Sequence, residues 1–331
     1  MANLKTKYMG LDLVSPIVAG SCGLTSDIEK MVEMEKAGVG AVVLKSIFEE
    51  QINEESVGIF KSGYGMGDAY PEAEDYIKAY IRSNTIQKYV ELVRTAKSRL
   101  TIPVIASVNC FSGGEWVTFA HQLELAGADA LELNVFILPV NEFTESAEVE
   151  NIYFDIVKSI KKQIKIPVSV KISHYFTNLS AFVDKLKAYG ANAVTMFNRF
   201  YEPDININTM TMGAASVFST ANELRTTLRW TGILAGKDKQ LEISASTGVH
   251  SGEAVVKMLL AGATTVQLCS VLYEKGLPVI GEINQFVSEW MESKGFHSVE
   301  EYRGQLSYSS IENPDLYERA QFMKYFSNKQ Y

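Results

Sequence analysis

Residues 126–135 read AGADALELNV, and the same plan returns in AGVGAVVLKS (37–46), YGANAVTMFN (189–198) and AGATTVQLCS (261–270). Each begins where a helix ends at a glycine, the residue that most easily adopts the left-handed C-cap conformation. A short apolar strand follows and stops at a polar residue. A buried run of this kind, without the full alternation of a half-exposed strand, is what a parallel sheet covered on both faces requires.

Working outward, a second set of strands lies between these: SPIVAGS (15–21), IPVIASVN (102–109) and IPVSVKIS (166–173), each introduced by proline. Proline suits the first residue of a strand, where its missing N–H is not needed. LEISAST (241–247) makes the eighth. Helices are expected at about 26–37, 84–99, 115–126, 147–164, 178–188, 221–230, 251–261 and 280–294, with amphipathic spacing clearest in VEMEKA (32–37), YVELVRTA (89–96) and FVDKLKAY (182–189). Eight strands alternating with eight helices predict an α/β fold, a (β/α)8 TIM barrel forming one domain over 1–331. An open doubly wound sheet explains the even repetition less well. Three extras stand outside the repeat: a β-hairpin at 4–14, a long loop at 47–83 expected over the mouth, and an aromatic C-terminal tail at 298–331.

Composition narrows the function classes. The 331 residues are 47% apolar and 21% charged, and no apolar run approaches the ~20 residues of a membrane helix. The opening MANLKTKYMGLDL lacks a signal-peptide core, so a cytoplasmic protein is expected. A net charge of −8 argues against nucleic acid as a partner. Cys22, Cys110 and Cys269 show no CxxC spacing, the four histidines form no HExxH pattern, and no metal is expected; each cysteine reads most simply as an inert small residue.

In a barrel the strand ends converge on one face, so their polar residues form one site. They are Ser21, Lys45 with Ser46, Asn109, Asn134, Lys171 with Ser173, Asn198, Ser246 with Thr247, and Ser270. Two lysines, three asparagines and no acid suit a planar polar heterocycle carrying an anionic group. After the last two strands, STGVHSGEAVVKML puts small residues and Gly248 before a helix, a recurrent phosphate cradle in barrels. Flavin mononucleotide (FMN) fits these features best. A barrel that forms a Schiff base at Lys171 is a second reading.

The chain resembles the class 1 dihydroorotate dehydrogenase family over about residues 3–305. The resemblance rests on PIVAGS (16–21), VVLKS (42–46), GADALELN (127–134), SVKIS (169–173), MFN (196–198), STGVHSGEAVVKMLLAGATTVQLCSVLYEKG (246–276) and SKGFHSVEEYRGQL (293–306), in this order and spacing. It implies FMN as cofactor, hydride transfer from a CH–CH bond, pyrimidine biosynthesis as the setting, and a homodimer. It also implies that Ala19, Gly20, Ser21 and Ser46 contact the flavin and that Lys45 and Lys171 line its ring and ribityl chain. Asn109, Asn134 and Asn198 would bond flavin or substrate, and Thr247, Gly248, Cys269 and Ser270 would hold the phosphate.

Three stretches depart from the family pattern. The family's strand-4 loop reads approximately N-L-S-C-P-N, or with Ser for Cys, and that Cys or Ser removes the substrate proton; here NVFILPVN (134–141) puts Ile137 or Leu138 at that position. The loop after strand 2 carries KSGYGMGDAY (61–70), and Arg199 replaces a small residue after Asn198. An aliphatic side chain accepts no proton. The expectations are therefore another base (Cys110, His174 or Tyr64), a substrate that needs none, or a flavin-binding subunit working with an external electron acceptor or redox partner. The chain has no cysteine set for its own iron–sulfur cluster.

Overall fold

The computed structural model describes residues 2–48, 71–109, 115–199 and 202–318. An antiparallel hairpin comes first, β1 (Thr6–Tyr8) and β2 (Leu11–Leu13). Its two-residue turn, Met9 and Gly10, has φ of 54° and 77°, the doubly positive turn whose twist matches that of hairpin strands.

The barrel strands are β3 (Ile17–Ala19) and β4 (Ala41–Val43), followed after the two-residue β5 (Ile47–Phe48) by β6 (Val104–Asn109), β7 (Ala130–Asn134), β8 (Val168–Ile172) and β9 (Ala193–Met196). A second hairpin, β10 (Pro203–Asn206) and β11 (Thr211–Ala214), precedes the last two, β12 (Glu242–Ala245) and β13 (Thr265–Leu268). The parallel order β4-β3-β13-β12-β9-β8-β7-β6 closes because β4 also pairs with β6. The predicted (β/α)8 barrel is therefore present, with eight strands where the sequence places them.

The helices are α1 (Ile28–Lys36), α2 (Pro71–Arg99), α3 (Glu115–Leu125), α4 (Ser146–Lys161), α5 (Leu179–Ala188), α6 (Leu224–Lys237), α7 (Gly252–Ala261), α8 (Ser270–Lys275), α9 (Val279–Lys294), α10 (Val299–Tyr302) and α11 (Asp315–Glu318). The glycines that predict helix ends, Gly38, Gly127, Gly190 and Gly262, all have φ between 91° and 115°. Among the described residues no helix is long and apolar enough to cross a membrane.

Two expectations need correction. The segment 47–83 is not one loop: Ile47–Phe48 is a strand, and α2 starts at Pro71, about a dozen residues earlier than the apolar spacing suggests. Proline is favoured in the first turn of a helix, where no N–H is required. Residues 49–70, with KSGYGMGDAY and Tyr64, lie outside the described residues, as do Cys110 and 319–331. The hairpin β10–β11 was not expected, although PDININTMTMGA alternates so that Pro203, Ile205, Met212 and Ala214 share one face.

The tail is attached to the barrel as far as it is described. Gly304, Leu306 and Tyr308 donate backbone N–H groups to Leu259, Leu260 and Gly232. Tyr302 is buried against Trp290 and Phe296.

Candidate active site

Parallel register decides which side chains share a level. Asn109 lies beside Asn134, Asn134 beside Lys171, and Lys171 beside Thr195. Two residues lower the row is Ser107, Glu132 and Ser169. Because side chains alternate across a strand, both rows face the lumen. The barrel interior is thus apolar at its bottom, where Tyr8, Met9 and Leu13 meet Val18, Ala41, Val43 and Ile105, and polar above.

The middle level is a hydrogen-bonded network that the sequence reading missed. Tyr8 donates to Ser169 (3.2 Å), Ser169 meets Thr195 (3.0 Å), and both Thr195 and Gln267 donate to the Oε2 of Glu132 at 2.8 Å. Glu132 is 1% exposed, so a carboxylate sits in the lumen just beneath the mouth. The signal was available in IASVN, ALELN and VSVK, where a polar residue recurs at every second position.

At the mouth the strand ends come together as expected. Ser46 N–H donates to Ser21 Oγ (2.9 Å), and Ser46 Oγ contacts Ser21 Oγ (3.0 Å) and Ser107 Oγ (2.7 Å). Asn198 donates to Asn134 Oδ1 at 2.6 Å. Lys171 is buried at 6% exposure, and among the described residues no carboxylate forms an ion pair with it. Asn109 Oδ1 is buried without a hydrogen-bond partner among the described residues. Lys45 differs: its side chain is exposed, while its N–H reaches Thr25 O at 3.4 Å.

A cavity of about 180 Å³ opens here, lined by Ser21, Lys171, Asn198, Thr247, Gly248, Cys269 and Ser270 among others. Thr247 and Gly248 have consecutive positive φ values of 76° and 80°. Successive N–H groups in such a turn can form an anion-binding concavity, and a non-glycine residue held there is strained, as functional sites often are. A Cβ on Gly248 would meet Leu224 N at 2.2 Å, and one on Gly20 would meet Cys269 Sγ at 2.5 Å. Ala19 is buried at the end of β3, directly before Gly20. An orphaned amide oxygen, a buried ammonium and a strained turn fit a flavin with a phosphate tail.

Cys22 and Cys269, expected as inert small residues, influence one another. The Cys269 side chain, against the effect of burial and with help from the Leu24 and Thr25 backbone, holds the Cys22 thiol down to about 6. Cys22 and burial push the Cys269 thiol up, and its Sγ lies 3.9 Å from Ser21 O.

In the strand-4 loop Ile137 is half-buried against the core and Leu138 is 55% exposed, so neither offers a polar atom. Arg199 braces the rim, bonding Glu223 (3.0 Å), Glu202 (3.2 Å) and the carbonyls of Ser216 and Val217. His174 lies edge-on to Phe197, 5.6 Å between ring centres, and partial burial lowers its pKa. Among the described residues no cluster of His, Cys, Asp or Glu could hold a metal ion.

The family model for dihydroorotate dehydrogenase matches residues 3–291. The chain is 27% identical to the dihydroorotate dehydrogenase B (NAD(+)) catalytic subunit of Thermoplasma acidophilum over 311 residues, 92% of this chain and 99% of the relative. It is 25% identical to the protein of the same name from Pyrococcus furiosus over 308 residues, 91% and 98% of the two chains. With the matching barrel, these place the chain in the dihydroorotate dehydrogenase family.

Proposed function

We propose that the chain is an FMN-dependent oxidoreductase acting on a CH–CH bond of a small polar substrate, dihydroorotate or a related compound. The observation that carries this reading is the level row of Asn109, Asn134 and Lys171, two amides and a buried cation that meets no carboxylate among the described residues, with Lys171 and Asn198 lining the cavity above it. FMN, when bound, supplies a hydride acceptor at N5. Lys171 sets a positive charge where a flavin ring becomes negative on reduction. Asn134 and Asn198, already hydrogen-bonded to each other, orient the substrate; Thr247, Gly248 and Ser270 hold the phosphate.

The strand-4 loop excludes water and removes no proton, because Ile137 and Leu138 have no acceptor. His174 is the rim base of this reading: a lowered pKa keeps its imidazole neutral and able to take a proton. The relatives' names add a second strand, since a catalytic subunit works beside another subunit. A redox partner that accepts the electrons, and a homodimer in the cytoplasm, complete the proposal. The exposed Ile205, Ile207, Met210 and Met212 of the β10–β11 hairpin support a partner at the rim.

The test is an anaerobic visible spectrum before and after adding dihydroorotate. Bleaching of the flavin band establishes dihydroorotate as substrate. A band that stays oxidised assigns the apolar strand-4 loop to a different substrate.

A further inference from the structure

One side-chain cluster beside the cavity is not absorbed by this function. Glu274 on α8 contacts His250 Nδ1 at 3.1 Å, and His250 Nε2 contacts Ser219 Oγ at 3.1 Å. Ser219 Oγ in turn donates to Ser270 Oγ at 3.1 Å and accepts the Gly248 N–H at 3.4 Å. Ser219 and Ser270 line the cavity, so an acid–imidazole–hydroxyl chain ends in the strained Thr247–Gly248 turn.

The proton count in this chain depends on what the hydroxyl faces. A neutral imidazole that donates from Nδ1 to Glu274 leaves Nε2 as an acceptor, which competes with Ser270 Oγ for the single proton of Ser219. Either way Ser219 offers only lone pairs to the cavity. An imidazolium donates from both nitrogens, which removes Nε2 from that competition and frees the Ser219 proton for Ser270 or for an anionic oxygen. A phosphate monoester dianion in the turn therefore favours the second arrangement, and the Glu274 carboxylate stabilises the imidazolium that results.

We infer that Ser219, His250 and Glu274 form a phosphate-coupled proton relay, through which binding of a phosphate monoester dianion draws a proton onto His250. The inference rests on the FMN reading of the cavity. The charged groups around the relay are Glu274 at Nδ1 and Lys275, whose Nζ bonds the His250 carbonyl (3.2 Å). Lys171 and Arg199 face the same cavity, Arg199 paired with Glu223 and Glu202, and Cys22 and burial push the Cys269 thiol up.

Titration calorimetry of the flavin-free protein with FMN and with riboflavin, at about pH 8 in buffers of different ionisation enthalpy, reads the proton directly. At that pH the FMN phosphate, with a second pKa near 6, is already a dianion in solution. FMN should bind with uptake of a fraction of a proton that riboflavin does not cause. His250→Gln and Ser219→Ala should retain riboflavin binding, which reports an intact fold, and lose the uptake; Glu274→Gln should reduce it. FMN binding without uptake, or with the same uptake in His250→Gln, overturns the relay alone. A wild-type protein that binds no flavin overturns the relay together with the flavin reading.

Discussion

The two ends of the barrel use the same strands and treat their polar groups in opposite ways. At the bottom, charged and amide side chains are satisfied by the next repeat. Glu35 of α1 accepts from Thr101 and Ile102 N–H ahead of β6, and Glu124 of α3 accepts from Lys165 and Ile166 N–H ahead of β8. Asp129 takes both Lys97 Nζ and Val104 N–H, and Lys187 pairs with Asp238. At the top, among the described residues, Lys171 has no carboxylate partner and Asn109 Oδ1 has no hydrogen bond. An unsatisfied buried polar group costs about 1–3 kcal/mol. The bottom is arranged for stability, and the top carries a cost that a bound ligand would relieve.

Four changes should affect the two ends of the barrel differently. The largest effect is expected at the rim, where His174→Gln should slow flavin reduction by substrate about 10²-fold, the low end for a lost general base. Because burial lowers the His174 pKa, the neutral form persists to lower pH than in an ordinary histidine; the wild-type rate should hold its plateau down to about pH 6.5 and fall only at lower pH. Stopped-flow reduction across pH measures both.

Next, Lys171→Ala should weaken FMN binding roughly 10- to 100-fold, the worth of a hydrogen bond to a charged group. The thermal midpoint of its flavin-free form should hold or rise, because a buried cation with no carboxylate partner among the described residues is removed. Fluorescence titration and calorimetry on the same preparation test this, and a destabilised Lys171→Ala would erase the contrast between the two ends.

The mirror experiment is Asp129→Ala. It should cost about 1–3 kcal/mol of unfolding free energy, since Val104 N–H and Lys97 lose their acceptor, and should leave FMN affinity unchanged.

The smallest effect is at Glu124. Its burial raises the pKa, but the Lys165 and Ile166 N–H groups and His121 outweigh this and hold it below the usual range. A depressed carboxyl stabilises the fold above its unfolded value and loses that contribution as pH falls through the folded one. The wild-type melting temperature should therefore drop below about pH 4, and Glu124→Gln should flatten that drop.

Much of this architecture is written in short-range sequence. The glycines before AVVLKS, ADALELNV, ANAVTMFN and ATTVQLCS mark helix ends that all prove left-handed, and the polar residues closing those strands do meet at one face. What escaped reading has a physical reason. Glu132 hides in an apolar strand, and only the two-residue alternation of LELN reveals that it faces the lumen. The β10–β11 hairpin lies outside the eightfold repeat and buries neither face, so its short alternation in DININ and TMTM signals no core, and Pro71 opens α2 in a polar turn. Ser219, His250 and Glu274 come from three separate loops and helices, so no spacing links them.

A flavin at the polar top of this barrel would colour the purified protein. Its visible absorbance, with phosphate and flavin content determined after denaturation, should show about one FMN per chain, released intact and rebound by the flavin-free protein. A colourless protein that takes up no FMN would contradict this and would leave Lys171 free for the Schiff-base chemistry that a lysine at a barrel strand end also permits.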